Sequence, residues 1–213
     1  MNRPIRSFVL RQGRTTPAQS RALEQLLPKY GIAFSDQKIS SGRNAPLVIE
    51  IGSGMGETTA EIASQHPEAD FVAIEVHGPG IGALLNKIHS LQLSNLRVVR
   101  HDAVEVLERM VADGSLTAVH LFFPDPWPKK RHHKRRLVQP AFLSLLKQKL
   151  KVGGIVHLAT DVPDYADQMA DVFSGDATFA AATGGFAQRP ATKFEKRGRR
   201  LGNPVRDLVF VRK

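Results

Sequence analysis

The sequence contains no cysteine among its 213 residues. This absence excludes a disulfide framework, a thiolate nucleophile and a zinc–thiolate site, and it suits a reducing compartment. Long apolar runs are also missing, because the longest spans about six residues at 118–123 and is interrupted by His120. A helix that crosses a bilayer needs about 20 apolar residues. We therefore expect a cytoplasmic protein without a membrane segment.

Acidic side chains are missing from the first 23 residues, which carry five arginines. An arginine-rich start without acids superficially resembles a mitochondrial presequence, whereas the apolar stretch of a secretory signal is absent.

The net charge of +10 is distributed unevenly along the chain. Three segments hold the positive charge, with +6 in residues 1–43, +6 in residues 129–136 and +7 in residues 189–213. The rest of the chain is acidic, at −9. Segregated cations favour binding of the phosphates of a nucleic acid, although a charged run can also be a solvated face without a partner.

Short apolar runs rich in β-branched residues alternate with longer segments of helical periodicity. This alternation predicts one Rossmann-like α/β domain, with a mostly parallel sheet, helices on both faces and an antiparallel last strand. We expect this domain over residues 46–213, after a basic N-terminal extension of residues 1–45 with a short helix near 17–27. The predicted strands cover residues 46–52, 71–76, 96–100, 117–123, 154–160 and 208–211. The predicted helices cover residues 56–65, 79–92, 104–112, 138–150 and 163–173.

A compact glycine turn follows the first predicted strand, with the sequence EIGSGMG at 50–56. Gly52 and Gly54 permit a tight turn and let a ligand approach the backbone closely. The spacing is GxGxG, whereas a dinucleotide fingerprint is GxGxxG. Compact turns of this kind resemble motif I of the class I methyltransferases, whose ligand has no pyrophosphate.

Acidic residues stand at the ends of the first three predicted strands. Glu50 is placed to interact with the charged amino-acid end of a cofactor. Glu75 can accept hydrogen bonds from both hydroxyls of a ribose, and Asp102 can accept one from an adenine amino group. Each acid could instead cap the helix that follows it, as Asp102 could.

The predicted fourth strand runs into PDPWPKKRHHKRR at 124–136. Two prolines restrict the backbone of Asp125, since each fixes its own φ and limits the residue before it. A rigid carboxylate beside Trp127 and eight consecutive basic or histidine residues can hold a base near a cofactor while the cations grip phosphates. Trp127 could stack on a base or anchor the loop in the core. Adjacent His132 and His133 lack a carboxylate or cysteine partner at ligand spacing, so we expect no metal.

Seven segments spread over nearly the whole chain share one family pattern. They are RSFVLRQGRTT at 6–16, EIGSGMG at 50–56, IEVHGPGIG at 74–82, HDA at 101–103, PDPWPKKRHHKRR at 124–136, ATDVPDY at 159–165 and TKFEKRGRRLG at 192–202. In these segments the chain resembles the bacterial tRNA (guanine-N7)-methyltransferase family of class I enzymes. The match at the arginine-rich start disfavours a presequence. Two departures are Ser53, where an aromatic is common, and the short stretch from 161 to 192.

The resemblance implies transfer of a methyl group from S-adenosylmethionine to N7 of guanine at position 46 in the variable loop of tRNA. It implies cofactor contacts at Glu50, Gly52, Gly54, Glu75, Asp102 and Asp125, and a catalytic role for Asp125. Substrate contacts are implied at Lys129, Asp161, Thr192, Lys193, Phe194 and Glu195. RNA contacts are implied at Arg131, His132, His133, Lys134, Arg135 and Arg136. The partner is tRNA, and no obligate protein partner is evident.

The chemistry of N7 limits what the acids can do. N7 carries a lone pair and no proton, so its attack on a methyl sulfonium needs no general base. A fixed carboxylate can stabilise the positive charge that develops on the purine, and a carboxylate can accept hydrogen bonds from guanine N1–H and the exocyclic amine. Asp125 and Asp161 are the candidates for these two roles, and both assignments stay open here.

Three other functions compete with this interpretation. A methyltransferase acting on another RNA or on a small molecule has the same cofactor motifs, although the basic segments disfavour a small molecule. A non-catalytic RNA-binding module is disfavoured by the intact acids at successive strand ends. A nucleotide-dependent oxidoreductase is disfavoured by the glycine spacing.

Overall fold

The computed structural model describes residues 7–8, 13–40, 42–191, 195 and 204–213. A central sheet contains strands β1 (Leu47–Ile51), β2 (Asp70–Ile74), β3 (Leu96–Val99), β4 (Leu116–Phe122), β5 (Leu150–Thr160), β6 (Phe179–Ala181) and β7 (Arg206–Arg212). Their order is β3-β2-β1-β4-β5-β7-β6. Neighbours from β3 to β5 are parallel, whereas β7 is antiparallel to both β5 and β6. The prediction of a mostly parallel sheet with an antiparallel last strand is confirmed.

Helices cover both faces of the sheet. They are α1 (Pro17–Gln25), α2 (Leu27–Tyr30), α3 (Glu57–Gln65), α4 (Gly78–Ser90), α5 (Ala103–Met110), α6 (Pro140–Lys149) and α7 (Pro163–Ser174). A 3-10 helix covers Lys130–Arg135. None of the helices in the described part of the chain is long and apolar enough to cross a membrane.

Two apolar clusters form the core, one on each face of the sheet. The first lies under α5, α6 and α7, and the second lies under α1, α3 and α4. Consecutive residues of β1 serve opposite faces, with Ile49 in the first cluster and Val48 in the second. A strand buried on both faces explains why β1 and β2 read as nearly continuous apolar runs rather than as alternating patterns.

The described part of the predicted N-terminal extension packs against the sheet domain. Helix α1 begins with a capping box, in which Thr16 Oγ1 accepts a hydrogen bond from Gln19 N at 3.3 Å and Gln19 Oε1 accepts one from Thr16 N at 2.9 Å. This turn lies directly on α4, because a Cβ added at Gly82 would come within 2.7 Å of Gln19 O. Gly31 forms a parallel bridge with Val98 of β3. The division between residues 1–45 and 46–213 stays a prediction.

Most element boundaries lie within a few residues of their predicted positions. Strand β5 begins four residues earlier than predicted, directly after α6 ends at Lys149. The short edge strand Phe179–Ala181 lies in a Gly/Ala-rich stretch whose pattern indicates no element. It forms because β7 offers an unpaired edge for three residues of antiparallel pairing.

Candidate active site

A pocket of about 370 Å³ opens at the carboxyl ends of β1, β2 and β4. The strand order reverses between β1 and β4, because β2 lies on one side of β1 and β4 on the other. Open α/β sheets bind ligands at such a reversal. The pocket is lined by Ser7, Phe8, Gly13, Ile51, Gly52, Ile74, Glu75, Val76, His77, His101, Ala103, Leu121, Phe122, Phe123, Pro124, Asp125 and Leu137.

The glycine turn after β1 has the backbone that its sequence predicts. Gly52, Gly54 and Gly56 have φ of 74°, 56° and 73°, a region that side chains with a Cβ rarely adopt. A Cβ added at Gly52 or Gly54 would meet no heavy atom within 4 Å, so the space beside the turn is open to a ligand. Gly80, in the first turn of α4, packs against the turn, because its added Cβ would lie 2.4 Å from Gly54 O.

Glu75 fastens this turn to the end of β2. Its Oε2 accepts a hydrogen bond from Gly54 N at 2.8 Å, and its Oε1 accepts bonds from Val76 N at 2.7 Å and His77 N at 2.9 Å. A carboxylate has about four acceptor positions, so these three bonds leave about one for a ligand. Glu75 therefore both lines the pocket and shapes the glycine turn.

Glu50 lies beneath the turn and outside the pocket lining, with 4 % of its surface exposed. Burial raises the pKa of Glu50 to about 7, the nearby hydroxyl of Thr59 lowers it, and the charge of Glu75 raises it further. A cation brought close to Glu50 would favour its ionised form. The carboxyl is thus placed to respond to the charged end of a ligand in the turn.

Asp102 caps helix α5, since its Oδ1 accepts a hydrogen bond from Val104 N at 2.8 Å. Its neighbours His101 and Ala103 line the pocket, whereas Asp102 itself does not. Capping engages one carboxylate oxygen, so contact with an adenine amino group remains compatible through the other.

Asp125 is exposed and lines the pocket from the loop after β4. Two non-glycine residues with positive φ flank it, Phe123 at 53° and Trp127 at 46°. Phe123 N donates a hydrogen bond of 2.7 Å to Ala159 O, which ties the start of the loop to β5. Strained backbone of this kind persists where surrounding structure holds it, and it is frequent at functional sites.

Arg136 holds the other end of this loop and is 2 % exposed. Its Nε donates to Pro126 O at 2.8 Å, its Nη1 to Gln168 Oε1 at 2.7 Å, and its Nη2 to Asp164 Oδ2 at 2.7 Å. A guanidinium buried against these partners is not presented to a phosphate. The RNA contact expected at Arg136 stays a prediction, and in this structure the arginine holds the loop.

The other basic residues of the run lie at the surface. Lys129, Arg131, Lys134 and Arg135 are exposed, and His132 and His133 are half-buried. The guanidinium of Arg135 lies 4.9 Å from the centre of the Trp127 ring. Trp127 Nε1 donates a hydrogen bond of 3.1 Å to Ser7 O. Trp127 thus fastens residue 7, another pocket-lining residue, to the loop, and it contacts Arg135 on the surface rather than lying in the core.

Of the other expected substrate residues, the structure describes Asp161 and Glu195. Asp161 is half-buried directly after β5 and does not line the pocket. Glu195 is 3 % exposed and accepts a hydrogen bond of 2.6 Å from Arg189 Nη1. Thr192, Lys193 and Phe194 lie outside the described residues.

Arg189 was not among the residues expected from sequence, because an isolated arginine in a stretch without periodicity carries no signal. Pocket residues such as Leu121 and Phe123 were also not singled out, although both lie at the carboxyl end of a strand, where a ligand is expected.

The residues around the pocket fit S-adenosylmethionine. The turn offers open space beside the glycine backbone, Glu75 and Asp102 offer acceptors at neighbouring strand ends, and apolar side chains such as Ile74 line the space between them. Within the described residues, no group of three or more His, Asp or Glu side chains could hold a metal ion.

The fold and this site define a class I, Rossmann-like methyltransferase. The family model described as "Putative methyltransferase" matches residues 44–208. Solved structures with the same fold include a precorrin-6y C5,15-methyltransferase from Geobacter metallireducens, at TM-score 0.57 and 13 % identity, with 91 % of this chain and 88 % of that chain covered. An rRNA methylase from Streptococcus thermophilus has TM-score 0.54 and 14 % identity, with 79 % and 87 % covered.

Relatives of similar length are far more similar in sequence to this chain than these solved structures are. A tRNA (guanine-N(7)-)-methyltransferase from Nitrosomonas europaea is 54 % identical over 217 residues, which cover 98 % of this chain and 97 % of the relative. One from Nitrosospira multiformis is 54 % identical over 220 residues, covering 100 % and 96 %. The chain belongs to the tRNA (guanine-N7)-methyltransferase family.

Proposed function

We propose that the chain transfers the methyl group of S-adenosylmethionine to N7 of a guanine in tRNA, at position 46 of the variable loop. Family membership supports the reaction, and the resemblance of the loop at 124–136 supports the position. The structural observation that carries the proposal is the place of Asp125, in the wall of the same pocket as Gly52 and Glu75. A carboxylate from the basic loop and the cofactor motifs thus face one space.

The cofactor, when bound, supplies an electrophilic methyl group on a sulfonium. Glu75 would accept from a ribose hydroxyl through its remaining acceptor position, Asp102 would accept from the adenine amino group, and Glu50 would balance the ammonium of the amino-acid end. The lining of the pocket by Ile51, Ile74 and Leu121 gives the rest of the ligand an apolar surround.

Asp125 and Asp161 divide the work on the guanine. Positive charge grows on the purine as N7 gains the methyl group, and a carboxylate in the pocket wall stabilises that charge. Asp125 lines the pocket and takes this role, whereas Asp161, outside the lining, accepts hydrogen bonds from the N1–H and amine edge. Positioning provides much of the remaining catalysis, worth up to about 7–11 kcal/mol in oriented reactions.

The exposed cations of the loop grip the RNA. Lys129, Arg131, Lys134 and Arg135 reach phosphates around the target base, and the two histidines add polar contacts. Thr192, Lys193, Phe194 and Glu195 belong to the segment that takes the substrate from the other side. We expect the chain to act in the cytoplasm without an obligate protein partner.

Methylation of bulk tRNA followed by nucleoside analysis tests the proposal. The expected product is 7-methylguanosine, formed only when protein, tRNA and S-adenosylmethionine are all present. A tRNA transcript with adenine in place of the guanine at position 46 is the matched control and should stay unmodified. Methylation at another base or ring position, or equal methylation of the control transcript, would contradict the proposal.

A further inference from the structure

An ion-pair network beside the active site is centred on the buried side chain of Arg189. The side chain of Arg189 is 5 % exposed. Its Nε and Nη2 donate to the two carboxylate oxygens of Asp207 on β7, at 2.8 and 2.9 Å, and its Nη1 donates to Glu195 Oε2 at 2.6 Å. One guanidinium therefore joins β7 to Glu195, one of the proposed substrate residues.

The same guanidinium also touches the start of the Asp125 loop. Its Cζ lies 5.7 Å from the centre of the Phe122 ring and 5.4 Å from that of Phe123. Phe123 lines the pocket and has a φ of 53°, so its ring direction depends on a strained backbone. A planar cation packed on these rings limits where Phe123 can move.

A second group supports the network from β5. The Nε2 of His157 and Asp207 Oδ1 are joined by a hydrogen bond of 2.8 Å, and His157 is 5 % exposed. Burial by itself would raise the pKa of Asp207, but hydrogen bonds from Arg189 and His157 hold it well below its ordinary value. Asp207 is thus a stable anion that keeps Arg189 in one orientation.

We propose that Arg189 is a positioning residue, which sets the distance between the Asp125 loop and the substrate segment ending at Glu195. This inference rests on the proposed function, since it takes residues 192–194, next to Glu195, as substrate contacts. Glu195 then acts through Arg189 rather than by touching the guanine, because its carboxylate is buried against the guanidinium. Arg189 is suited to this because its rigid fork holds Asp207 with two donors while a third reaches Glu195, a geometry that lysine cannot reproduce.

The test compares Arg189→Lys with Lys149→Gln. Arg189→Lys keeps the charge but loses the fork, and Arg189→Gln serves as the more severe variant. Lys149 forms an ion pair of 2.6 Å with exposed Asp113 at the opposite end of the sheet and is as buried as Arg189, so Lys149→Gln is a matched loss of a buried cation from an ion pair. Thermal melting and titration with S-adenosylmethionine show whether each variant is folded.

Arg189→Lys should lower the single-turnover rate at saturating tRNA by about tenfold or more, since small misplacements of reacting groups are costly. Its affinities for S-adenosylmethionine and for tRNA should stay within about threefold of the parent, because Glu75, the glycine turn and the exposed cations are unchanged. Lys149→Gln should lower the melting temperature without changing the rate below that temperature. A purely structural role for Arg189 predicts the same pattern in both variants.

An Arg189→Lys variant that is folded and turns over within about twofold of the parent would overturn the inference. Thr192→Ala, measured alongside, distinguishes a failure of the role of Arg189 from a failure of the proposed function. A loss in Thr192→Ala without one in Arg189→Lys contradicts the role of Arg189 alone. A parent protein that forms no 7-methylguanosine contradicts the proposed function instead.

Discussion

Burial changes the protonation of Glu50, one of the proposed cofactor contacts. Glu50 faces the helix α3 side of the sheet in register with His120 on β4, and His120 pairs in turn with His157 on β5. Burial lowers the pKa of His120 to about 3, so this neighbour stays neutral and supplies no cation to Glu50. The carboxyl of Glu50 lies in an environment that favours its protonated form. A cationic ligand close to it would favour the ionised form instead.

Replacing Glu50 by Gln should change how stability depends on pH. The folded carboxyl holds its proton up to about pH 7, whereas the unfolded one loses it near 4.5. Between these values the folded state binds more protons, so the parent loses stability as pH rises, by roughly 1–3 kcal/mol. Urea unfolding from pH 5 to 8 should show this loss in the parent and little of it in Glu50→Gln. Exposed Glu108→Gln is the control, and parallel curves for the parent and Glu50→Gln would contradict the explanation.

Asp125→Asn keeps the size and most of the hydrogen bonding of the side chain but removes its charge. Because the carboxylate is proposed to stabilise the methylated purine, single-turnover rates should fall by about 10²-fold or more, while tRNA affinity changes far less. Rapid-quench measurements with saturating tRNA give the rate, and a filter-binding titration gives the affinity. Asp164→Asn is no suitable control because Asp164 binds Arg136, so Asp171→Asn, an exposed change on α7, serves better. A rate within about twofold of the parent would remove the electrostatic role.

At the scale of elements, the loop from β4 to α6 is held by hydrogen bonds near its two ends. Phe123 is tied to β5 at one end, and Arg136 holds Pro126 O and helix α7 at the other. Arg136 also lies 4.7 Å from the centre of the Tyr165 ring. Burial raises the pKa of Tyr165 to about 12, which keeps its hydroxyl protonated beside the arginine. The carboxylate of Asp125 is thus positioned by Phe123 at one end of the loop and by Arg136 at the other.

Arg136→Ala should lower the free energy of unfolding by about 2–4 kcal/mol, because it removes the partner of two half-buried oxygens, the Pro126 carbonyl and the Gln168 amide, and opens a cavity. Methyl transfer should fall as well, since the Asp125 loop loses its hold. Lys134→Ala, an exposed change in the same run, should shift stability by no more than about 0.5 kcal/mol. Guanidinium unfolding of both variants measures the difference. Equal stability of the two would show that Arg136 does not hold the loop.

At the scale of the whole molecule, sequence alone predicts the sheet well and the side-chain network poorly. The strands from β1 to β5 are buried on one or both faces, so their apolar runs are visible in the sequence. Charge type, in contrast, does not reveal burial: Arg136 and Arg135 are adjacent bases, yet one is buried in a hydrogen-bond network and the other is exposed. Arg189 and Glu195 are likewise paired only by the folded chain.

The distribution of charge over the whole surface determines how the affinity for tRNA depends on salt. Each phosphate that a cation neutralises adds roughly −0.7 to −0.9 to the slope of log affinity against log salt. Arg131, Lys134 and Arg135 are exposed on one short helix next to the pocket, so neutralising all three should weaken tRNA binding and flatten that slope by about two to three units. Affinity for S-adenosylmethionine should barely change.

The matched control neutralises Lys87, Lys147 and Lys151, which lie near the amino ends of the strands and outside the three basic segments. It removes the same total charge, so a general effect of net charge would flatten both slopes alike, whereas a local footprint flattens only the first. Filter binding from about 50 to 200 mM salt measures the slopes, and melting curves show whether each variant is folded. An unaltered slope in a folded loop variant would mean that other residues bind the phosphates. The basic segment 189–213 would be the next to neutralise, because it carries the largest positive charge of the three.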